Sequence, residues 1–105
     1  MNGTPEIDIE AFAAARPMGT VVDVREHHEY ANGHVAGALP IPMGQVASRV
    51  HELDRSKPVY VICATGNRSL AITDLLRVLG FDAWSVTGGT AAWARSDRPV
   101  EGGIA

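Results

Sequence analysis

Cys63 is the only cysteine in this chain of 105 residues, and it stands between two stretches of very different character. Before it, Val59-Tyr60-Val61-Ile62 is apolar at every position, the pattern of a strand covered on both faces as in a parallel sheet. After it come Ala64-Thr65-Gly66-Asn67-Arg68-Ser69, a short segment with one glycine and one cation, and then a helical periodicity. On the strand alone, a free cysteine is an ordinary packing residue. The loop argues for chemistry instead. Ligands in open α/β sheets bind beyond the carboxyl ends of strands, and the first amides of a helix lack intrahelical partners and converge on anions. Gly66 can take the positive φ that a tight curl requires. A packing cysteine needs none of this, whereas a thiolate needs both donors and positive charge. The helix N-terminus and Arg68 are therefore expected to lower the Cys63 pKa and produce a nucleophile near neutral pH.

The elements that must position this loop can be read around it. Asp8 is suited to cap a helix through Ala15, with Glu10 in its first turn and Pro17 beyond its end. Thr20-Val21-Val22-Asp23-Val24 reads as a strand, and Arg25 to Tyr30 as a helical turn stopped by Asn32-Gly33. From Ser69 to Leu79, Ile72, Leu75, Leu76 and Leu79 recur at i, i+3, i+4 and i+7, one apolar helix face, with Gly80 as its stop. Asp82 to Val86 reads as a further strand, Gly88-Gly89 as a turn, and Thr90 to Arg95 as a last helix that packs Trp93 inward. Alternating strands and helices imply an α/β sheet, mostly parallel.

Composition narrows the function. The hydrophobic content of 46% supports one core without disulfides or metals, so the chain reads as a single domain over 1–105, with 1–5 and 101–105 expected as loose ends. With 9 Lys+Arg against 12 Asp+Glu and a net charge of -3, neither a disordered chain nor a nucleic-acid surface is indicated. One cysteine excludes an internal disulfide framework and an all-cysteine metal site. Adjacent His27 and His28 lack metal-pair spacing, His34 has no evident sequence partner, and no metal or cofactor is called for. Met1 to Glu6 has no leader character and no apolar run approaches a membrane span, so a cytoplasmic protein with no membrane partner is expected.

Several motifs together resemble the rhodanese-like domains. Asp23-Val24-Arg25-Glu26, Glu29-Tyr30, Gly33-His34-Val35-Ala36-Gly37-Ala38 and Ile41-Pro42 are similar to the first signature of that family. Cys63 to Ser69 resembles its active-site loop, and Leu79-Gly80-Phe81 with Val86 to Trp93 resembles its C-terminal motif. The resemblance runs from about Ile7 to Pro99. It implies a small, mainly parallel central sheet flanked by helices on both faces, and sulfurtransferase activity through a cysteine persulfide. By the same resemblance Cys63 carries the sulfur, the amides from Ala64 to Arg68 cradle its anion, Arg68 holds the sulfonate end of thiosulfate, and Asp23 and Arg25 brace the loop. From the residues alone, Asp23 and Arg25 read equally well as an ion pair at a strand end.

The implied partners are a small sulfur donor and a thiol or cyanide acceptor, or a protein persulfide donor or acceptor. Phosphatase and arsenate reductase relatives of this fold carry one more residue between cysteine and arginine, while four separate Cys63 from Arg68 here. The tighter ring suits one extra sulfur better than a phosphoryl group. Ala64 stands where many thiosulfate-using members have a basic residue, so weak thiosulfate use, or a relay module loaded by a protein partner, is the alternative. Ala36 replaces a proline common in the first signature.

Overall fold

Val59–Ile62 forms the middle strand of the sheet, and its alternation decides how the protein is layered. The structure is a computed structural model and describes residues 3–102. The chain runs β1 (Glu6–Ile7), α1 (Ile9–Ala15), β2 (Thr20–Asp23), α2 (His27–Ala31), β3 (His34–Val35), β4 (Leu39–Pro40), α3 (Val46–Arg49), β5 (Val59–Ile62), α4 (Arg68–Val78), β6 (Ala83–Val86), α5 (Gly89–Arg95) and β7 (Val100–Glu101). Five strands form a sheet in the order β1-β6-β5-β2-β4, every pairing parallel, with β5 at its centre. β3 and β7 form a separate antiparallel pair.

Successive residues of a strand face opposite sides, and each side of this sheet buries its own core. Val59 and Val61 of β5 join Val22, Val46, Ile72 and Leu76, so α3 and α4 cover one face. Tyr60 and Ile62 join Phe12, Val21, Tyr30 and Trp93, so α1, α2 and α5 cover the other. All four β5 residues are therefore buried, as an apolar run at every position requires.

Local capping follows the residue types. The Asp8 carboxylate accepts from the Ala11 amide at 2.8 Å and starts α1. Glu26 caps α2 in a reciprocal box, its own amide donating to Glu29 Oε1 at 3.0 Å. Gly80 follows α4 with φ +93, where a side chain would be strained. Ile72 and Leu76 of α4 are buried and Leu75 and Leu79 half-buried, while Val78 lies 84% exposed on the opposite side.

The periodic elements fall within a residue or two of their expected bounds, and the short ones do not show in the sequence. β1, β3, β4 and β7 are two residues each, too brief for any alternation to appear. The stretch 43–52, unassigned by pattern, holds α3 between two 3-10 turns. Parts of the two expected loose ends make contacts. Thr4 donates to the Asp74 carboxylate at 2.9 Å, the Pro5 carbonyl accepts from the Ser85 amide, and Glu101 pairs with His34 in the β3–β7 ladder. Residues 1, 2 and 103–105 of those two ends lie outside the described residues. Among the described residues no helix is long and apolar enough to cross a membrane.

Trp93 anchors the face opposite α4. It is 1% exposed, packs edge-to-face against Phe12 at 5.3 Å, and donates its indole N–H to the Pro99 carbonyl at 2.8 Å. Replacing Trp93 with Ala is expected to destabilise the protein by about 3–5 kcal/mol, measured as a lower urea midpoint with an unchanged slope.

Candidate active site

The carboxyl end of β5 delivers Cys63 to the top of the sheet, 1% exposed. The chain then turns through Gly66, whose φ of +105 is open to glycine, before α4 begins. The turn wraps the sulfur. Cys63 Sγ accepts from the Gly66 amide at 3.2 Å and the Ser69 amide at 3.4 Å, with the Ser69 hydroxyl oxygen also at 3.4 Å. The Ser69 hydroxyl in turn lies 2.8 Å from that of Ser85 on β6, both side chains fully buried. When Cys63 is ionised its sulfur can only accept, so Ser69 donates to it and Ser85 donates to Ser69.

These donors decide the ionisation of the thiol. Burial pushes the Cys63 pKa up, but the Ser69 hydroxyl and the amides of Ser69, Gly66 and Thr65 together outweigh it, and the net direction is downward from the ordinary 9.0. Hydrogen-bond donors at the loop and the start of α4 make up the stabilising causes, in line with the expected part of the helix N-terminus, while Arg68, expected beside it, is not among them.

Arg68 is not a free charge. Its Nη1 and Nη2 bind Glu29 Oε1 and Oε2 at 2.7 and 2.8 Å, a two-point ion pair between the start of α4 and α2. The Arg68 hydrogen bond holds the Glu29 carboxyl down to about 2 against the desolvation that raises it. Nothing in the sequence spacing joins positions 29 and 68. The pair forms because α2 follows β2 and α4 follows β5 on neighbouring parallel strands.

What holds the loop open comes from α5. The Thr90 amide donates to the Cys63 carbonyl at 2.8 Å, the Ala91 amide to the Ala64 carbonyl at 3.0 Å, and the Thr90 hydroxyl to the Cys63 carbonyl at 3.1 Å. Gly89 makes the approach possible, since a Cβ there would stand 2.5 Å from the Cys63 oxygen. Read as a plain turn from sequence, Gly88-Gly89 is thus the contact that lets a helix start against the loop. Gly66 packs on the same turn, with a Cβ there meeting the Gly88 nitrogen at 3.2 Å.

Asp23 and Arg25 form a buried pair just below. Arg25 Nη2 binds Asp23 Oδ2 at 2.8 Å and the Gly33 carbonyl at 2.8 Å, and Nε binds Asp23 Oδ1 at 3.0 Å. Among the described residues neither side chain hydrogen-bonds the loop; the pair ties the end of β2 to the α2–β3 turn. Arg25 meets the loop across a pocket of about 320 Å³ whose wall also includes Ala64, Thr65, Thr90 and Val100. His34 is buried, stacked on Tyr30 at 3.6 Å, with Nδ1 2.8 Å from the Tyr30 carbonyl, and serves the β3 turn rather than the sulfur. Among the described residues no cluster of three or more His, Cys, Asp or Glu side chains is arranged to hold a metal.

The model of the rhodanese-like domain family matches residues 9–96. The chain is similar to the "Putative sulfur carrier protein YrkF" of Bacillus subtilis, 36% identical over 76% of this chain and 45% of that protein, so it spans less than half of that relative. It is also similar to the "Putative sulfurtransferase YtwF" of the same organism, 35% identical over 75% of this chain and 77% of that protein. Among solved structures, a rhodanese-related protein from Thermoplasma volcanium superposes with a TM-score of 0.88 at 34% identity, covering 92% of this chain and 97% of its own.

Removing the Ser69 hydroxyl tests the donor ring. In Ser69→Ala the midpoint of iodoacetamide alkylation against pH is expected to rise by about one unit, a roughly tenfold drop in thiolate at pH values below it. Ser85→Ala should move it the same way by less, because Ser69 then donates without an oriented partner.

Proposed function

The chain belongs to the rhodanese-like domain family, and from that premise we propose that it is a sulfurtransferase that carries sulfane sulfur as a persulfide on Cys63. The observation that carries this is the ring of Gly66 and Ser69 donors closed on one buried sulfur at the end of the central strand. Such a ring stabilises a thiolate before the reaction and a persulfide anion after it, as an oxyanion hole does for oxygen. Four residues between Cys63 and Arg68 favour this over phosphate or arsenate chemistry, for which the resemblance implies a longer loop.

The proposed cycle has two exchanges. The Cys63 thiolate attacks the outer sulfur of thiosulfate or a persulfide; the new S–S bond forms as the donor's breaks, and sulfite or a thiol leaves with the electron pair. An acceptor thiolate or cyanide then attacks the outer sulfur and Cys63 leaves as thiolate. The sulfur moves at constant oxidation level, so no cofactor takes part. Cys63, the amides of 64–68 and Ser69 act on the sulfur, while Asp23 and Arg25 hold the ground beside it. A reducing cytoplasm, where a lone thiol stays free, suits this chemistry.

A relay role, with Cys63 loaded by a persulfide-bearing protein, is the second reading. The occupied Arg68 and the uncharged Ala64 favour it, since both leave thiosulfate without a free cation.

The test is intact mass under non-reducing conditions after exposure to excess thiosulfate, and separately to a persulfide donor. The expected result is a gain of one sulfur atom, released by cyanide as thiocyanate and absent in Cys63→Ser. A wild-type chain that gains sulfur from neither donor while Cys63 remains alkylatable overturns the proposal.

A further inference from the structure

Two arginines stand at the mouth of the loop, and both are already satisfied. Arg25 is closed on Asp23 and the Gly33 carbonyl. Arg68, the only charged side chain between Cys63 and Ser69, is closed on Glu29 at both nitrogens. Glu29 is itself pinned: its Oε1 also accepts the Glu26 amide at 3.0 Å, so α2 aims the carboxylate before Arg68 arrives. The pair is half-buried on both sides, close enough to the sulfur for Arg68 and the Cys63 charge to interact. Remaining charges on α4 and α5, such as Asp74, Arg77 and Arg95, lie one or more helical turns beyond the loop.

We propose that Glu29 is a specificity-determining residue: by binding Arg68 it cancels the loop's positive charge and biases Cys63 toward persulfide donors over dianionic donors such as thiosulfate. This rests on the sulfurtransferase reading above and names its donor class.

The charge count explains the bias. Thiosulfate brings two negative charges to a site that already holds a thiolate, and the attack gives Cys63-S-S⁻ and a sulfite dianion. A persulfide donor brings at most one negative charge on its reacting group and is attacked in its protonated form; the Cys63 S–S bond forms, the donor S–S bond breaks, the proton stays on the transferred sulfur and the donor leaves as a thiolate. The loop amides serve the sulfur in both cases. Only the first case also calls for a free cation to offset a second anion, and Glu29 has taken it.

The experiment reads anion affinity without turnover first. Sulfate, a dianion with no sulfur to give, is titrated at constant low ionic strength as a protectant of Cys63 against iodoacetamide. In Glu29→Gln, which keeps an oxygen for the Glu26 amide but no charge, the half-protecting sulfate concentration is expected to fall about tenfold, and the gain to shrink as sodium chloride is added. The same gain is expected to vanish in Glu29→Gln/Arg68→Gln. Glu29→Asp, with a shorter arm, should move protection the same way by a smaller factor and serves if the first variant folds poorly.

In parallel, the ratio of kcat/KM for thiosulfate to that for cysteine persulfide should rise about tenfold in Glu29→Gln, through KM rather than kcat. Equal sulfate protection in wild type and Glu29→Gln, or a gain that survives in the double variant, overturns the assignment of Glu29. Sulfur loading from neither donor overturns the sulfurtransferase reading instead, and the sulfate titration still decides the role of Glu29.

Discussion

The carbonyl oxygens of Cys63 and Ala64 point at the first amides of α5, and the rest of the site follows from that capture. A peptide unit is planar, with its C=O and N–H on opposite sides. Turning the Ala64 carbonyl toward Ala91 therefore turns the Thr65 N–H the other way, toward the sulfur, where it joins the donors that favour thiolate. Gly89 admits this contact because any side chain there would collide with the loop backbone. α5 holds its place through Trp93, wedged against Phe12 and covered by Arg16 at 5.1 Å. Packing on one face of the sheet thus sets hydrogen-bond directions at its edge.

Stabilising a buried sulfur anion with neutral donors has a different consequence from stabilising it with a cation. Hydrogen bonds from fixed amides and a buried hydroxyl favour whichever sulfur occupies the ring, and they add no net charge at the mouth. The Ser85–Ser69 contact extends this support across two elements, from β6 to α4, in a place where water does not reach. Ser85 sits on the α4 side of β6, beside Ala83, because β6 alternates as β5 does. The polar pair is thus embedded in a face that is apolar apart from the buried Thr73 of α4. Each hydroxyl of the pair is satisfied because its partner is equally buried and within reach.

How much of this was legible in the residues follows from range. Helices α1 and α4, strands β2, β5 and β6, and the loop at Cys63 come from local signals: caps, periodicity, an apolar run and a glycine. The resemblance pointed to Cys63 to Ser69 for the same reason, since its motif is contiguous. What stayed hidden depends on contacts far apart in the chain. Glu29 and Arg68 meet 39 positions apart, Ser69 and Ser85 are 16 apart, and Thr90 reaches Cys63 across 27. No spacing rule connects such residues, because strand order brings them together. Arg68 misled for that reason: a guanidinium beside a cysteine reads as free until the opposite helix is placed. The contacts at the ends were hidden similarly, since Thr4 and Glu101 meet partners 70 and 67 positions away.

Strand order also explains why the site lies where its charges can be balanced across the sheet. After β2 the chain moves outward to β4, and it then returns past β2 to enter β5. The helices that follow β2 and β5 lie on opposite faces, α2 with Tyr30 and α4 with Ile72. Between the carboxyl ends of those two strands the covering helices diverge, which is where an open α/β sheet leaves a crevice. Cys63 and Asp23 occupy its floor, and the Glu29–Arg68 pair spans it from one layer to the other. One ion pair therefore joins the two cores and sets the charge at the mouth. Loosening it for a more cationic site also loosens the bridge between layers, so the charge at the mouth and local stability are set by the same two side chains.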